Sequence, residues 1–306
     1  MAEIEIHNLC KSYGSVKALD DLCMTVEKNG FYGLIGPDGA GKTTLMRIIT
    51  SLLVPDSGSL SVGGLDPVRD YKKLRLKLGY MPGKFSLYPD LSVEENLRFF
   101  AGVFGTTIKE NYHLIKNIYQ HIEPFKNRRA GKLSGGMKQK LALSCALIHK
   151  PEILILDEPT TGVDAVSRRE FWDMLNEIRN YGITILVSTP YMEEAVICDN
   201  ISLLFAGKVV ESGTPDEIVS RYSAKVYSIK TNNIPVTLKT LRNLSGIKSV
   251  NSFGQNIHLV FSDETHSEMD ISEFLKKYDV LDAEISIIKA GIEDCFIDYI
   301  LRSTNQ

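Results

Sequence analysis

The sequence predicts an α/β chain in two parts: a buried, mainly parallel sheet flanked by helices, followed by a small α+β unit. Three observations carry this. Apolar, β-branched runs at 31–35, 153–156, 183–187 and 201–205 are short, continuous and lack alternation, as strands buried on both faces do. A glycine-rich segment at 36–43 separates the first run from a helical pattern in which Leu45, Ile48, Ile49, Leu52 and Leu53 share one face. After Arg221 the pattern changes to short units, so the domains are read as 1–221 and 222–306.

Between the glycine segment and the second apolar run lies a mainly helical insert, about 92–146. Ser92 followed by Glu95 reads as the capping box that opens it. Ser212, Gly213, Thr214 and Pro215 supply turn chemistry near the end of the first domain. The tail reads as a strand at 226–229, a helix at 236–244, strands at 247–250 and 257–261, a helix at 271–278, a strand at 284–288 and a helix at 292–301. A βαββαβ order suggests a ferredoxin-like sandwich.

With 306 residues, 43% of them hydrophobic and 24% charged, the chain has the composition of a soluble globular protein and can bury a core. A formal net charge of -3 gives no global attraction to nucleic acid, and no nucleic-acid partner is expected. The five cysteines (Cys10, Cys23, Cys145, Cys198 and Cys295) form no C-x-x-C pair, which fits reduced thiols in a cytosol better than a disulfide framework or a zinc site. The N-terminus lacks the features of a signal peptide, and no apolar run approaches the ~18 residues of a membrane span. Work at a membrane would therefore need another chain to do the spanning.

The segment Gly36, Pro37, Asp38, Gly39, Ala40, Gly41, Lys42, Thr43 matches G-x-x-x-x-G-K-[ST] without a gap. Its glycines let backbone N–H groups turn around phosphate oxygens, and the helix that follows presents a partly positive N-terminus. Lys42 is expected at the β- and γ-phosphates of ATP, the Thr43 hydroxyl on Mg²⁺, and Thr44 on phosphate. The run at 153–156 delivers Asp157 and Glu158 at its C-terminal end, where open α/β sheets place ligands. Asp157 is expected to hold magnesium through water and Glu158 to act as general base toward the attacking water. Alone, that acidic pair could equally cap a loop. Leu133, Ser134, Gly135, Gly136, Met137, Lys138 and Gln139 open a helix with a hydroxyl and two glycines, which suits a second anion site or an ordinary N-cap and turn.

Together these residues resemble the nucleotide-binding subunit of ABC transporters over roughly residues 3–220. In that resemblance Walker A is 36–43, Walker B ends at Asp157, the signature is 133–139, and Gly162, Val163 and Asp164 form the D-loop. Tyr13 falls where the family stacks an aromatic ring on adenine, although a tyrosine there could also be a core residue. The resemblance implies a P-loop NTPase of ABC type with a helical subdomain. It implies ATP hydrolysis in a head-to-tail dimer with a second ATP-binding subunit, the same chain or a different one, on the cytoplasmic face of a membrane beside integral membrane transporter subunits. The segment 85–90 would help form the groove for a membrane partner. The tail resembles that of drug, antibiotic or polysaccharide exporter ATPases, and 291–296 resembles its closing helix. The competing reading is a non-transport ATP-dependent regulatory or dimerisation module with little hydrolysis.

Two positions depart from the family pattern. Gly83 follows Pro82 where the family carries the Q-loop glutamine, and Pro190 follows Ser188 and Thr189 where it carries the switch histidine. Proline has neither a side-chain donor nor a backbone N–H. Loss of one positioned catalytic group costs ~10² to 10⁴ in rate, so hydrolysis at this chain's own Walker site is expected to be slow.

Overall fold

The computed structural model describes residues 2–263 and 266–304. Its chain divides into two compact units, 1–214 and 215–306. The first begins with β1 (Ala2–Tyr13), β2 (Val16–Glu27), β3 (Phe31–Ile35), α1 (Lys42–Ile49) and β4 (Ser57–Val62). Next come α2 (Tyr71–Lys77), β5 (Leu78–Met81), α3 (Val93–Val103), α4 (Ile108–Tyr119), α5 (Gly135–Leu147) and β6 (Ile153–Asp157). The unit closes with α6 (Ala165–Ile178), β7 (Thr184–Thr189), β8 (Asn200–Phe205) and β9 (Lys208–Gly213). The second unit contains α7 (Pro215–Ser220), β10 (Val226–Lys230), α8 (Ile234–Leu241), β11 (Ile247–Phe253), β12 (Asn256–Phe261), α9 (Glu268–Lys277), β13 (Glu284–Ile288) and α10 (Ile292–Thr304).

The four apolar runs become β3, β6, β7 and β8 in a six-stranded sheet ordered β5-β6-β7-β3-β8-β9. All pairings in it are parallel except β8 with β9. Every residue of β3, β6 and β7 is buried, which explains why their sequences show no alternation. Parallel order also brings the C-terminal ends of β5, β6, β7 and β3 to one edge of the sheet, where their loops can meet.

A second sheet, β2-β1-β4, is antiparallel and lies on the same core as α1. Its strands alternate imperfectly because β1 and β2 carry several register shifts, so sequence pattern alone did not single them out. The helix after the glycine segment is shorter than its apolar pattern suggests. It stops at Ile49, Ser51 takes a left-handed φ of 58°, and Leu52 is exposed.

Ser92 and Glu95 do form the expected capping box on α3. The buried Asn96 of that helix accepts from the Tyr88 N–H and donates to the carbonyls of Tyr88, Leu91 and Ser92, which anchors segment 88–92.

The second unit has its own core, built from residues such as Tyr227, Ile229, Leu259, Ile271 and Leu275. Its sheet runs β11-β12-β10-β13 with every neighbour antiparallel, the split-βαβ order of a ferredoxin-like sandwich. Helix α8 starts earlier than the apolar pattern suggests because Asn233 caps it and Pro235 sits in the first turn, where its missing N–H costs nothing. The division between units falls at Thr214 rather than after Arg221. Helix α7 belongs with the tail, where it contacts α10 and where the Cys295 thiol approaches the Ile218 carbonyl at 3.9 Å.

Candidate functional site

The glycine segment turns from β3 into α1 at the sheet edge. Gly36 N–H donates to the Thr189 carbonyl at 3.2 Å, tying the start of the loop to the end of β7. Gly41 takes φ 111°, and a Cβ there would stand 2.4 Å from the Ala18 carbonyl, so only glycine serves. Gly39 takes φ 80° with open space around it, and Asp38 is exposed beside it. The loop's outer turn is therefore accessible.

Lys42 is buried, yet its Nζ donates to the Gly36 carbonyl at 2.7 Å and the Pro37 carbonyl at 3.0 Å, and pairs with Glu158 Oε1 at 3.1 Å. Thr43 Oγ1 donates to Asp157 Oδ1 at 3.2 Å, and Ser188 Oγ donates to the same oxygen at 2.7 Å. The register of the parallel strands places these groups together: Ile35 lies beside Thr189 on β7, and Asp157 lies beside Ser188. Lys42, Thr43, Asp157 and Glu158, read separately from sequence, thus converge. Thr44 is half-buried on the same first turn of α1.

Glu158 takes φ 50°, a left-handed conformation unusual for a side-chain-bearing residue. Two bonds hold it there, from its N–H to the Ser188 hydroxyl at 3.0 Å and to the Ser188 carbonyl at 3.1 Å. Thr161 Oγ1 lies 3.4 Å from Glu158 Oε2. Nearby, burial and then the Asp157 charge push the Tyr80 phenol up to about 12, so it stays protonated beside the carboxylate. The hydroxyl of Thr43 and the carboxylate of Asp157, both oxygen donors set against one another, fit a hard divalent cation such as Mg²⁺.

Pro190 follows the last residue of β7, half-buried and directly after the carbonyl that binds Gly36. Gly83 follows β5, and a Cβ on it would stand 2.9 Å from the Asp157 carbonyl. The lack of a side chain at Gly83 is thus matched by close backbone packing, a feature that sequence alone does not reveal.

Ser134 caps α5, accepting from the Met137 N–H at 3.3 Å, and is exposed with Gly135. A Cβ on Gly136 would stand 2.8 Å from Ser167 Oγ, and one on Gly135 would stand 3.8 Å from the Gly162 carbonyl. The signature segment therefore packs on the start of α6, whose N-cap is the exposed Asp164. Tyr13 ends β1 and is 49% exposed, so it is not a core residue and its ring is available for stacking. A cavity of about 280 Å³ lies between β5, α3 and α5, with Met81, Leu87, Phe100, Phe104, Cys145 and His149 on its walls. Sequence reading missed Ser188, Asn96 and Glu194, whose roles depend on partners far away in the chain.

A family model described as ABC transporter matches residues 19–161. The chain is 43% identical over 217 residues to the probable multidrug ABC transporter ATP-binding protein YbhF of Escherichia coli, a match covering 70% of this chain but 38% of that protein's length. It is 36% identical to the Nod factor export ATP-binding protein I of Burkholderia lata, covering 72% of this chain and 73% of that one. It is 38% identical to the daunorubicin resistance ATP-binding protein DrrA3 of Streptomyces coeruleorubidus, covering 68% and 67%. Among solved structures, an ATP-binding subunit of an ABC transporter superposes with a TM-score of 0.65 at 29% identity, covering 71% of this chain and 92% of that one. The dimeric post-hydrolysis state of the ATP-binding cassette MJ0796 bound to ADP and Pi gives 0.63 at 25%, covering 69% and 98%.

Proposed function

Because this chain belongs to the ABC transporter ATP-binding family, we propose that it binds and hydrolyses ATP at a head-to-tail dimer interface and drives export through separate membrane subunits. The observation that carries this reading is the convergence of Lys42, Thr43, Asp157 and Glu158 at the ends of β3 and β6.

In this mechanism the loop amides and Lys42 take the β- and γ-phosphates, while the Tyr13 ring stacks on adenine. Thr43 and Asp157 would hold Mg²⁺, which when bound neutralises charge developing on the phosphates. Glu158, fixed by its two bonds to Ser188, accepts a proton from the attacking water. Ser134, Gly135 and Gly136, exposed or half-buried at the start of α5, present a hydroxyl and amides to the ATP held by the second subunit.

This chain's own Walker site hydrolyses slowly, and its signature completes a faster site on a different ATPase chain. The reason is Pro190, which offers no donor at the end of β7, together with the absent Q-loop side chain at Gly83. Turnover of the purified chain tests the reading. Slow release of phosphate is expected, abolished in Glu158→Gln and raised about tenfold or more in Pro190→His. Ordinary family-like turnover in the unaltered chain would overturn the slow-site proposal. Turnover that survives Glu158→Gln would overturn the role of Glu158.

The membrane partner is assigned to the cavity beside β5 and to the adjoining segment 85–90, where Phe85 and Tyr88 are exposed. Among the described residues no helix is long and apolar enough to cross a membrane, so the spanning segments of the assembly are assigned to that partner. The working location that follows is the cytoplasmic face of the membrane. Co-purification with an integral membrane protein, lost when Tyr88 is replaced by Glu, is the expected outcome. Co-purification unchanged by Tyr88→Glu would place the contact elsewhere.

A further inference from the structure

Glu194 lies in the short turn after β7 and is only 2% exposed, yet it carries a carboxylate. Hiding such a group is unfavourable unless its lone pairs find donors. Its Oε2 accepts from the Thr189 hydroxyl, and its Oε1 accepts from the Thr160 hydroxyl at 2.9 Å. Arg168 Nε stands 3.9 Å from the same Oε1. Thr160 and Thr189 are themselves 1% and 0% exposed, so neither hydroxyl has water as an alternative partner.

The three segments joined in this way all carry groups of the nucleotide site. Thr160 is two residues beyond Glu158. Thr189 precedes Pro190, and its carbonyl holds the Gly36 N–H. Arg168 is on the first turn of α6, which Asp164 caps. The Arg168 guanidinium also lies 4.1 Å from the Tyr191 ring centre and 3.4 Å from Glu193, which fixes the outer side of the turn. Tyr191 N–H donates to Thr189 Oγ1 at 3.1 Å, so that one hydroxyl is both donor and acceptor.

We infer that Glu194 is a positioning residue for ATP hydrolysis: by holding Thr160 and Thr189 together, it sets the distance between Glu158 and the phosphate loop. This rests on the reading of Glu158 as general base. The path runs from Gly36 through the Thr189 backbone and hydroxyl to Glu194, then through Thr160 to the loop that bears Glu158. Glu158 sits in a left-handed conformation that its own side chain does not favour, so restraint from both sides is what keeps it there. Pro190 sharpens the requirement, because it removes a backbone N–H that could have anchored the same strand end.

The test uses Thr160→Val and Thr189→Val, which keep side-chain shape but remove each hydroxyl, together with Glu194→Gln and Glu194→Ala. Phosphate release from radiolabelled ATP is followed in the unaltered chain and in the Pro190→His background, alongside the thermal midpoint. Displacing a base by about an ångström is expected to lower kcat by between about tenfold and 10²-fold, with KM for ATP unchanged. Glu194→Gln keeps one acceptor oxygen and should recover part of what Glu194→Ala loses. An unchanged kcat in Thr160→Val, or a fall in kcat no larger than the loss of folded protein that the thermal midpoint reports, would overturn the inference. Glu158→Gln is the separating control: if it leaves turnover intact, the reading of Glu158 has failed. If it abolishes turnover while the threonine variants do nothing, only the role of Glu194 has failed.

Discussion

Single residues explain both what the site holds and what it lacks. Lys42, Thr43, Asp157 and Glu158 were legible in sequence because each belongs to a short, gapless motif whose chemistry demands those residue types. Ser188, which steadies Asp157 and Glu158, carried no such signal. It is a serine that directly follows an apolar run, and its importance comes from strand register. Gly83 shows a different limit. Sequence marked a missing glutamine, whereas the structure shows no room for any Cβ, with the Asp157 carbonyl only 2.9 Å away. Restoring the side chain therefore requires the backbone to move. Gly83→Gln is expected to lower the thermal midpoint and leave ATP turnover unrecovered, in contrast to Pro190→His. Recovered turnover at an unchanged midpoint would show that the loop yields freely.

Among the elements, α3 and the segment before it depend on one buried amide. Asn96 bonds four backbone groups of segment 88–92, and Asn96→Ala strips the Tyr88 N–H and carbonyl of the partner it gives them, at an expected cost of roughly 2–4 kcal/mol in urea unfolding. A second sensitivity lies at the end of α5, where His149 stacks on Phe104 at 3.7 Å. Its Nε2 donates to the Leu78 carbonyl at 3.0 Å, and its Nδ1 is buried without a partner. Burial holds this imidazole below its usual pKa, against a smaller opposing effect of the Leu78 bond. Below the unfolded value of about 6.5 the unfolded chain takes up a proton that the folded chain resists, so stability falls as pH drops through that value. His149→Phe is expected to flatten the acid side of a midpoint-against-pH curve. Unchanged acid sensitivity would assign the loss to other groups. Helix and strand types were legible from periodicity along most of the chain. Boundaries such as Ile49 and Thr214 were not, because a left-handed residue and a helix contact set them.

For the molecule as a whole, the chain divides into two compact units, and every residue of the phosphate loop and the acidic pair belongs to the first. A chain ending at Thr214 is expected to bind ATP as the full chain does, as titration calorimetry would show. Loss of binding would tie the tail to the site. The βαββαβ order of that tail was legible because its strands are separated by clear turns, and their pairing then follows from antiparallel hairpin geometry. At the other end of the chain's logic, the 3.1 Å contact of Lys42 with Glu158 makes the proposed base an internal rival of the proposed phosphate ligand. A phosphate that claims the lysine must first dislodge the carboxylate, so binding and base release are thermodynamically linked. Glu158→Gln then weakens the rival whatever it does to hydrolysis, and its Kd for ADP, which has no γ-phosphate to cleave, should fall. Equal ADP affinities would mean that the carboxylate leaves without resistance, whereas a lower Kd means that tight ATP binding by this variant cannot be credited to blocked chemistry alone.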